Sequence, residues 1–218
     1  SRSCKISKRA NRIISKLEKN NCNIIVAKID ITNYDTTKIY FEENIYDIDG
    51  VFHLAGHIED MMIKDLNDKD ISSVLKPKIE GCMVLDKITQ HLNLNYFVTF
   101  SSISAIIGNP GQSVYAGANC FLDSFCNKRQ QLGKPGLSIN LGAIGSVGMI
   151  HRDYMLAKNM INNGFQFLHY EVLFDNMLTV LPHKNISQVC ISNQDWSKIC
   201  YTFPKTSMID TFKELKSE

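Results

Sequence analysis

The sequence predicts an α/β protein with a Rossmann-like, doubly wound parallel sheet and helices on both of its faces. Short apolar runs rich in β-branched and aromatic residues alternate with segments of helical period, which is typical of βαβ units. The chain has 218 residues, of which 44% are hydrophobic and 21% charged. That length and composition are sufficient for one domain with a sizeable core.

The first half of the chain is predicted to contain three helices and two strands. In order, these are an amphipathic helix containing Ile13, Ile14 and Leu17, a strand over Asn23 to Ile29, a helix over Thr36 to Tyr46, a strand over Gly50 to Leu54 and a long helix over Asp68 to Leu92. Asn67 is the candidate N-cap of the long helix. Pro77 falls inside it and removes one backbone hydrogen bond, so we expect a kink or a restart that aims the neighbouring Lys78 inward.

The second half continues the alternation of strands and helices. We expect a strand over Tyr96 to Phe100, a helix over Ser113 to Gln131, a strand over Leu137 to Asn140, a helix over Tyr170 to Leu181 and a strand over Ser187 to Ser192. Three glycines between Gly142 and Gly148 predict a loop whose backbone closely approaches a neighbour. Residues 1–200 are interpreted as one domain, and 201–218 as a linker or the start of a following module.

Charge and cysteine usage exclude several classes of protein. The formal net charge is only +2, and no apolar run reaches the length of a membrane span. The seven cysteines form no C-x-x-C pair, which argues against a disulfide framework or a zinc site. We therefore expect a soluble cytoplasmic protein without a metal, a nucleic-acid partner or a membrane partner.

Four polar residues have spacings that suggest a reactive centre. Tyr115 and Asn119 are one helical turn apart, Ser102 closes an apolar strand thirteen positions before Tyr115, and Lys78 precedes Ser102 by twenty-four positions. Taken singly, each residue has an ordinary explanation as a strand-end serine, a core aromatic, a solvated lysine or a surface amide. Their combination is more informative than any one of them.

This pattern resembles the reactive centre of the short-chain dehydrogenase/reductase superfamily, in a variant that exchanges the usual positions of lysine and asparagine. Together with the phrases Phe52-His-Leu-Ala-Gly56, Phe100-Ser-Ser102, Gly108-Asn-Pro-Gly-Gln112 and Leu137-Ser-Ile-Asn140, it resembles the ketoreductase domain of polyketide synthases and animal-type fatty acid synthases. The resemblance extends from about Ser1 to Trp196.

The resemblance implies NADPH-dependent reduction of a 3-oxoacyl thioester, carried on an acyl carrier protein, to the 3-hydroxyacyl form. Tyr115 would be the proton donor, and a nearby Lys78 ammonium would lower its pKa and also reach the nicotinamide ribose. Ser102 would donate a hydrogen bond to the substrate oxygen. Asn119 would hold the lysine and a relay water.

The remaining cofactor contacts are also implied by resemblance. Arg2 resembles the arginine that clamps the 2′-phosphate of NADPH, and Asp30 resembles the contact to the adenine amino group. Ala55 and Gly56 resemble the tight turn under the adenine ribose. The alternatives are an arginine in a basic terminus, a strand-end turn aspartate and a turn glycine without a ligand.

A glycine-rich G-x-G-x-x-G turn, which binds the pyrophosphate at a helix N-terminus in dinucleotide-binding domains, does not occur in the expected place. The first twelve residues are basic and free of acids, which fits either a transit peptide or a fragment of a longer chain. We favour the fragment and expect the first strand and its glycine turn to lie outside this sequence. On that reading, residues 1–218 alone would bind NADPH poorly.

Three functions follow from these observations. The first is a ketoreductase module with an acyl carrier protein and other synthase modules as partners, forming a homodimer. The second is a truncated, non-catalytic remnant with a structural role, against which the intact tetrad argues. The third is a free-standing short-chain dehydrogenase, against which the exchanged lysine and asparagine argue.

Overall fold

The computed structural model describes residue 3 and residues 5–44, 47–145 and 154–202. The helices are Lys8–Lys19 (α1), Tyr34–Asn44 (α2), Asp68–Leu75 (α3), Gly81–Thr89 (α4), Ser104–Ile107 (α5), Ser113–Gln131 (α6), Tyr154–Asn162 (α7), Tyr170–Val180 (α8) and Trp196–Thr202 (α9). The strands are Gly50–His53 (β1), Tyr96–Ser102 (β2), Leu137–Leu141 (β3), Phe165–Gln166 (β4), Gln188–Ile191 (β5) and Asn193–Gln194 (β6). A short 3₁₀ turn spans Ile63–Asp65.

The main sheet has the order β1-β2-β3-β5, and every neighbouring pair in it is parallel. Strands β4 and β6 form a separate antiparallel pair. Because all four strands of the main sheet run in one direction, their carboxyl ends lie at one edge, which is where open α/β sheets bind ligands. The predicted parallel sheet is confirmed.

Both faces of the sheet are covered by helices. On one face, Val98 and Ile139 pack with Leu173 and Met177 of α8. On the other face, Phe97 packs with residues of α4 and α6, including Leu122. Successive side chains of a strand point to opposite faces, so adjacent residues of β2 contribute to separate cores. The predicted doubly wound arrangement is confirmed.

The strand predicted over Asn23 to Ile29 is wrong, because the structure assigns no secondary structure to this segment. The side chains of Ile25 and Val26 are 68% and 43% exposed. A β-branched run becomes a strand only when a neighbouring strand pairs with its backbone. No strand pairs with this segment in the part of the chain that the structure describes.

The helix predicted over Asp68 to Leu92 forms as α3, a π-helical segment over Lys76–Glu80, and α4, which ends at Thr89. Asn67 is its N-cap as predicted and forms a capping box with Asp70. In the π segment, the backbone N–H of Gly81 donates to the carbonyl of Lys76, five residues earlier. The side chain of Lys78 is buried, so the predicted inward placement of this lysine is confirmed.

The loop after β3 approaches its neighbours as closely as its glycines predict. A Cβ atom on Gly142 would lie 2.6 Å from the Cβ of Ser192, and one on Gly145 would lie 2.7 Å from the Cβ of Phe167. Gly148 lies outside the described residues. The linker was predicted over residues 201–218, but helix α9 includes its first two residues and ends at Thr202. Residues 203–218 lie outside the description. Among the described residues, no helix is both long and apolar enough to cross a membrane.

Candidate active site

The carboxyl ends of β2 and β3 and the start of α6 surround a cavity of about 490 Å³. Ser102, the last residue of β2, and Tyr115, in the first turn of α6, both line it. The loop after β1 closes part of its rim, where Gln112 Nε2 donates to Asp60 Oδ1 at 2.8 Å. The structure therefore places two of the predicted reactive-centre residues in one cavity.

Lys78 reaches the same region from the π segment. Its Nζ donates to the carbonyl oxygen of Phe100 at 2.9 Å and lies 5.3 Å from the centroid of the Tyr115 ring. The side chain also packs against Gly56, where an added Cβ would lie 3.1 Å from Lys78 Cε. A third member of the predicted tetrad is thus adjacent to Tyr115.

Asn119 occupies the next turn of α6 and is fully buried. Its Nδ2 donates to the backbone oxygen of Tyr115 at 2.8 Å. Its buried Oδ1 has no hydrogen-bond partner among the described residues. The side chain therefore lies close to Tyr115, whereas its role in holding Lys78 and a relay water stays a prediction.

Burial dominates the ionisation of the two titratable groups. It lowers the pKa of Lys78 to about 8, although the carboxylate of Asp123 acts in the opposite direction. Burial raises the pKa of Tyr115 above its ordinary value, while the nearby polar side chains of Asn119 and Ser102 partly offset this rise. The expectation that Lys78 depresses the pKa of Tyr115 is therefore wrong for this structure, because desolvation of the phenolate outweighs the other influences.

A second cavity of about 680 Å³ contains three of the predicted cofactor contacts. Asp30, Ala55 and Gly56 line it together with Lys76 and Pro77. Since Gly56 also contacts the side chain of Lys78, this lysine lies between the second cavity and Tyr115. Arg2, the fourth predicted contact, lies outside the described residues.

The residues present fit part of a dinucleotide. The absence of a side chain at Gly56 leaves a cradle beside Lys78, as expected for a turn beneath a ribose. The Oδ1 atom of Asp30 accepts hydrogen bonds from the backbone N–H and the hydroxyl of Thr32, which hold this carboxylate in place at the cavity. In the described ranges, no G-x-G-x-x-G turn lines either cavity, so a pyrophosphate site of the expected kind is not seen at them.

Three buried polar residues near the site were given no role from the sequence. They are His53, Asp123 and Asn140. His53 follows the alternation of β1, since Val51 and His53 are buried while Phe52 is exposed. Asp123 follows Tyr115 and Asn119 at helical spacing. The strand alternation at His53 and the helical spacing of Asp123 could have been used to predict these two residues. Asn140 could not be found in this way, because its hydrogen-bond partners lie on other elements.

His53 is expected to make the stability of the protein sensitive to acid. Its Nε2 lies 3.1 Å from the carbonyl oxygen of Lys78, and burial lowers its pKa from 6.5 to about 4. Above pH 6.5 the ring is neutral in both the folded and unfolded states, but between pH 6.5 and 4 only the unfolded state gains the proton. Stability is therefore lost over this range, by up to about 3 kcal/mol.

The measurement is the free energy of unfolding by urea at pH 7 and pH 4.5, compared with His53→Gln. The glutamine variant should lose less stability between the two pH values than the parent. Equal losses would show that another group causes the acid sensitivity.

The fold and the site together define a Rossmann-type α/β protein with a serine, a tyrosine and a lysine gathered at the carboxyl end of its parallel sheet. A model of the KR domain family matches residues 1–146. The chain therefore belongs to this family of ketoreductase domains from polyketide synthases, which are oxidoreductases.

Relatives and solved structures agree with this family. A polyketide synthase-nonribosomal peptide synthetase of Aspergillus clavatus is 34% identical over 150 residues, which cover 67% of this chain and 4% of the relative. Probable polyketide synthase 1 of Dictyostelium discoideum is 32% identical over 194 residues, which cover 87% of this chain and 6% of the relative. A structure of A-type ketoreductases from a modular polyketide synthase superimposes with a TM-score of 0.85 at 25% identity, covering 91% of this chain and 42% of that one. The chain thus corresponds to a small part of the length of these synthases.

Proposed function

We propose that this chain reduces a 3-oxoacyl thioester to the 3-hydroxyacyl thioester with NADPH, as part of a polyketide or fatty acid synthase. The observation that carries the proposal is that Ser102 and Tyr115 line one cavity, with the ammonium group of Lys78 5.3 Å from the tyrosine ring. A serine, a tyrosine and a lysine in this arrangement supply the hydrogen-bond donor, the acid and the positive charge that ketone reduction requires.

In the proposed reaction, NADPH supplies the hydride. Ser102 donates a hydrogen bond to the ketone oxygen and orients it toward Tyr115. The Tyr115 hydroxyl transfers its proton to the same oxygen as negative charge develops there. Because the pKa of Tyr115 is raised by burial, the hydroxyl is protonated at neutral pH and available as the acid. The ammonium of Lys78 stabilises the phenolate that remains.

Cofactor binding is assigned to Asp30, Ala55, Gly56 and Lys78, which surround the second cavity or border it, and to Tyr115. Arg2 is proposed to bind the 2′-phosphate, since a guanidinium can contact a phosphate through two hydrogen bonds. This assignment gives NADPH preference over NADH.

The proposed partner is an acyl carrier protein that presents the acyl chain on its phosphopantetheine arm. The matched relatives are much longer synthases, which supports other modules in the same chain. We further propose a homodimer as part of such a synthase and a cytoplasmic location.

The test is incubation of the intact protein carrying this chain with NADPH or NADH and the N-acetylcysteamine thioester of 3-oxobutyrate, with mass spectrometric detection of the 3-hydroxy product. The proposal expects product with NADPH and less with NADH. A folded protein that gives no product and does not bind NADPH would instead support a non-catalytic remnant. Reduction of free ketones but not of a carrier-bound 3-oxoacyl chain would support a separate dehydrogenase activity.

A further inference from the structure

A buried polar network joins the carboxyl ends of β2 and β3 to α6, and Asn140 of β3 is at its centre. This side chain is fully buried. The two N–H groups of its Nδ2 face three acceptors: Asp123 Oδ2 at 2.9 Å, Ser101 Oγ at 3.0 Å and the backbone oxygen of Ser102 at 3.1 Å. A single amide group therefore contacts the strand end that bears Ser102 and the helix that bears Tyr115.

The orientation of the Asn140 amide follows from its partners. The Asp123 carboxylate and the Ser102 carbonyl oxygen can only accept hydrogen bonds, so the amide must present its N–H groups to them. On the opposite side, Gln188 Nε2 donates to Asn140 Oδ1 at 3.0 Å. An apolar residue of similar size at position 140 would fill the space but leave these groups without their partner.

The network continues into the reactive centre. Ser101 Oγ accepts from Asn140 and donates to the backbone oxygen of Asn119 at 3.3 Å. Asp123 lies one turn after Asn119 on α6, and its carboxylate also accepts from Ser138 Oγ at 2.5 Å. Asn140 is thus linked to both Ser102 and Asn119, although it lines neither cavity.

We propose that Asn140 is a positioning residue for the reduction: its amide fixes the end of β2 relative to α6, and so sets the position of the Ser102 hydroxyl relative to Tyr115. The inference rests on the proposed function, because position matters only if these side chains act together on a ketone. Misplacement of a reacting group by about 1 Å can cost as much as 100-fold in rate. The Asp123 carboxylate that Asn140 contacts also raises the pKa of the buried Lys78, which helps to keep that group protonated.

The test compares Asn140→Leu with a matched control, Ser138→Ala, in the intact protein carrying this chain. Ser138 lies on the same strand, is equally buried and also donates to Asp123, but it contacts neither Ser101 nor Ser102. We expect Asn140→Leu to lower kcat for the 3-oxobutyryl thioester at least about 10-fold while KM for NADPH stays within about threefold. The control should keep kcat within about threefold of the parent, even if Ser138→Ala lowers the melting temperature as much as Asn140→Leu does.

Asn140→Asp provides a second variant with nearly the same shape. It places a second carboxyl group beside Asp123, and two carboxylates at this distance share a proton at low pH. In the shared state one donor remains, directed at Asp123, while the donor to the Ser102 carbonyl is lost, so kcat should lie below that of the parent at acidic pH and should fall more steeply as pH rises. A pH profile parallel to that of the parent would overturn the proposal.

Hydrogen exchange measured by mass spectrometry gives a readout that does not depend on catalysis. In the Asn140 variants, peptides containing Ser101–Ser104 should exchange faster than in the parent, whereas in Ser138→Ala they should not. Unchanged exchange in these peptides would refute the positioning role whether or not the parent reduces the thioester. Absence of product from the parent, with the expected exchange pattern, would refute the proposed function alone.

Discussion

Tyr115→Phe is expected to lower kcat for reduction of the 3-oxoacyl thioester by about 100-fold or more, with little change in the Kd for NADPH. The substitution removes only the hydroxyl, so the ring that packs beside Lys78 is retained. Proton transfer to the ketone oxygen then has no donor in the assigned position. The loss should therefore be in kcat rather than in cofactor binding.

The measurement combines steady-state reduction with a fluorescence titration of NADPH. Tyr96→Phe is the matched control, because Tyr96 lies on the same strand as Ser102 but at the opposite end of it. This control should retain the activity of the parent. Activity of Tyr115→Phe within a few-fold of the parent would remove Tyr115 from its role as the acid.

Lys78→Met is expected to reduce activity strongly and, at the same time, to stabilise the fold. Burial lowers the pKa of this lysine from 10.5 to about 8, which corresponds to roughly 3 kcal/mol of destabilisation from the buried ammonium. Methionine has a similar length and no charge, so it avoids this cost but leaves the carbonyl of Phe100 without its donor. We expect a net gain in the free energy of unfolding of about 1 to 3 kcal/mol at pH 7.

The direction in which stability changes with pH distinguishes the burial of the Lys78 ammonium from the removal of an exposed charge. Below pH 8 both the folded and unfolded states carry the proton, and the cost is fully present. Between pH 8 and 10.5 the unfolded state binds more protons, so the parent should gain stability relative to Lys78→Met as pH rises. Over the same range, kcat of the parent should fall as the ammonium is lost.

Denaturant unfolding at pH 7 and pH 10 measures the change in stability, and a pH profile of kcat measures the loss of activity. Lys128→Met, which removes an exposed charge from α6, is the control and should change neither. A loss of stability in Lys78→Met at pH 7 would show that the hydrogen bond to Phe100 outweighs the desolvation of the ammonium.

Sequence periodicity predicts the local elements of this fold well, because helices and buried strands each have a characteristic repeat. The bounds of helix Ser113–Gln131 match the prediction, and they place Tyr115 and Asn119 one turn apart. The segment over Asn23 to Ile29 was mispredicted because strand formation depends on a pairing partner, which local sequence does not reveal.

Residues of the candidate site could be predicted where they lie on one helix or at the end of a predicted strand. No role was predicted for Asn140, although it belongs to one of the family phrases, because its partners come from β2, α6 and β5, which meet only in the folded chain. The pKa of Tyr115 was predicted in the wrong direction because burial, which is a property of the tertiary structure, outweighs the influence of nearby groups.

The π segment over Lys76–Glu80 has a consequence for how such a site is acquired. A π turn holds one more residue than an α turn, and removing that residue would rotate the flanking side chains by about 100° about the helix axis. Such a rotation would change the direction of the Lys78 side chain, whose Nζ donates to the Phe100 carbonyl in the present arrangement. The buried amine therefore depends on an insertion as well as on the choice of lysine, and a designer who transfers this site to another helix must change the chain length as well as the amino acid.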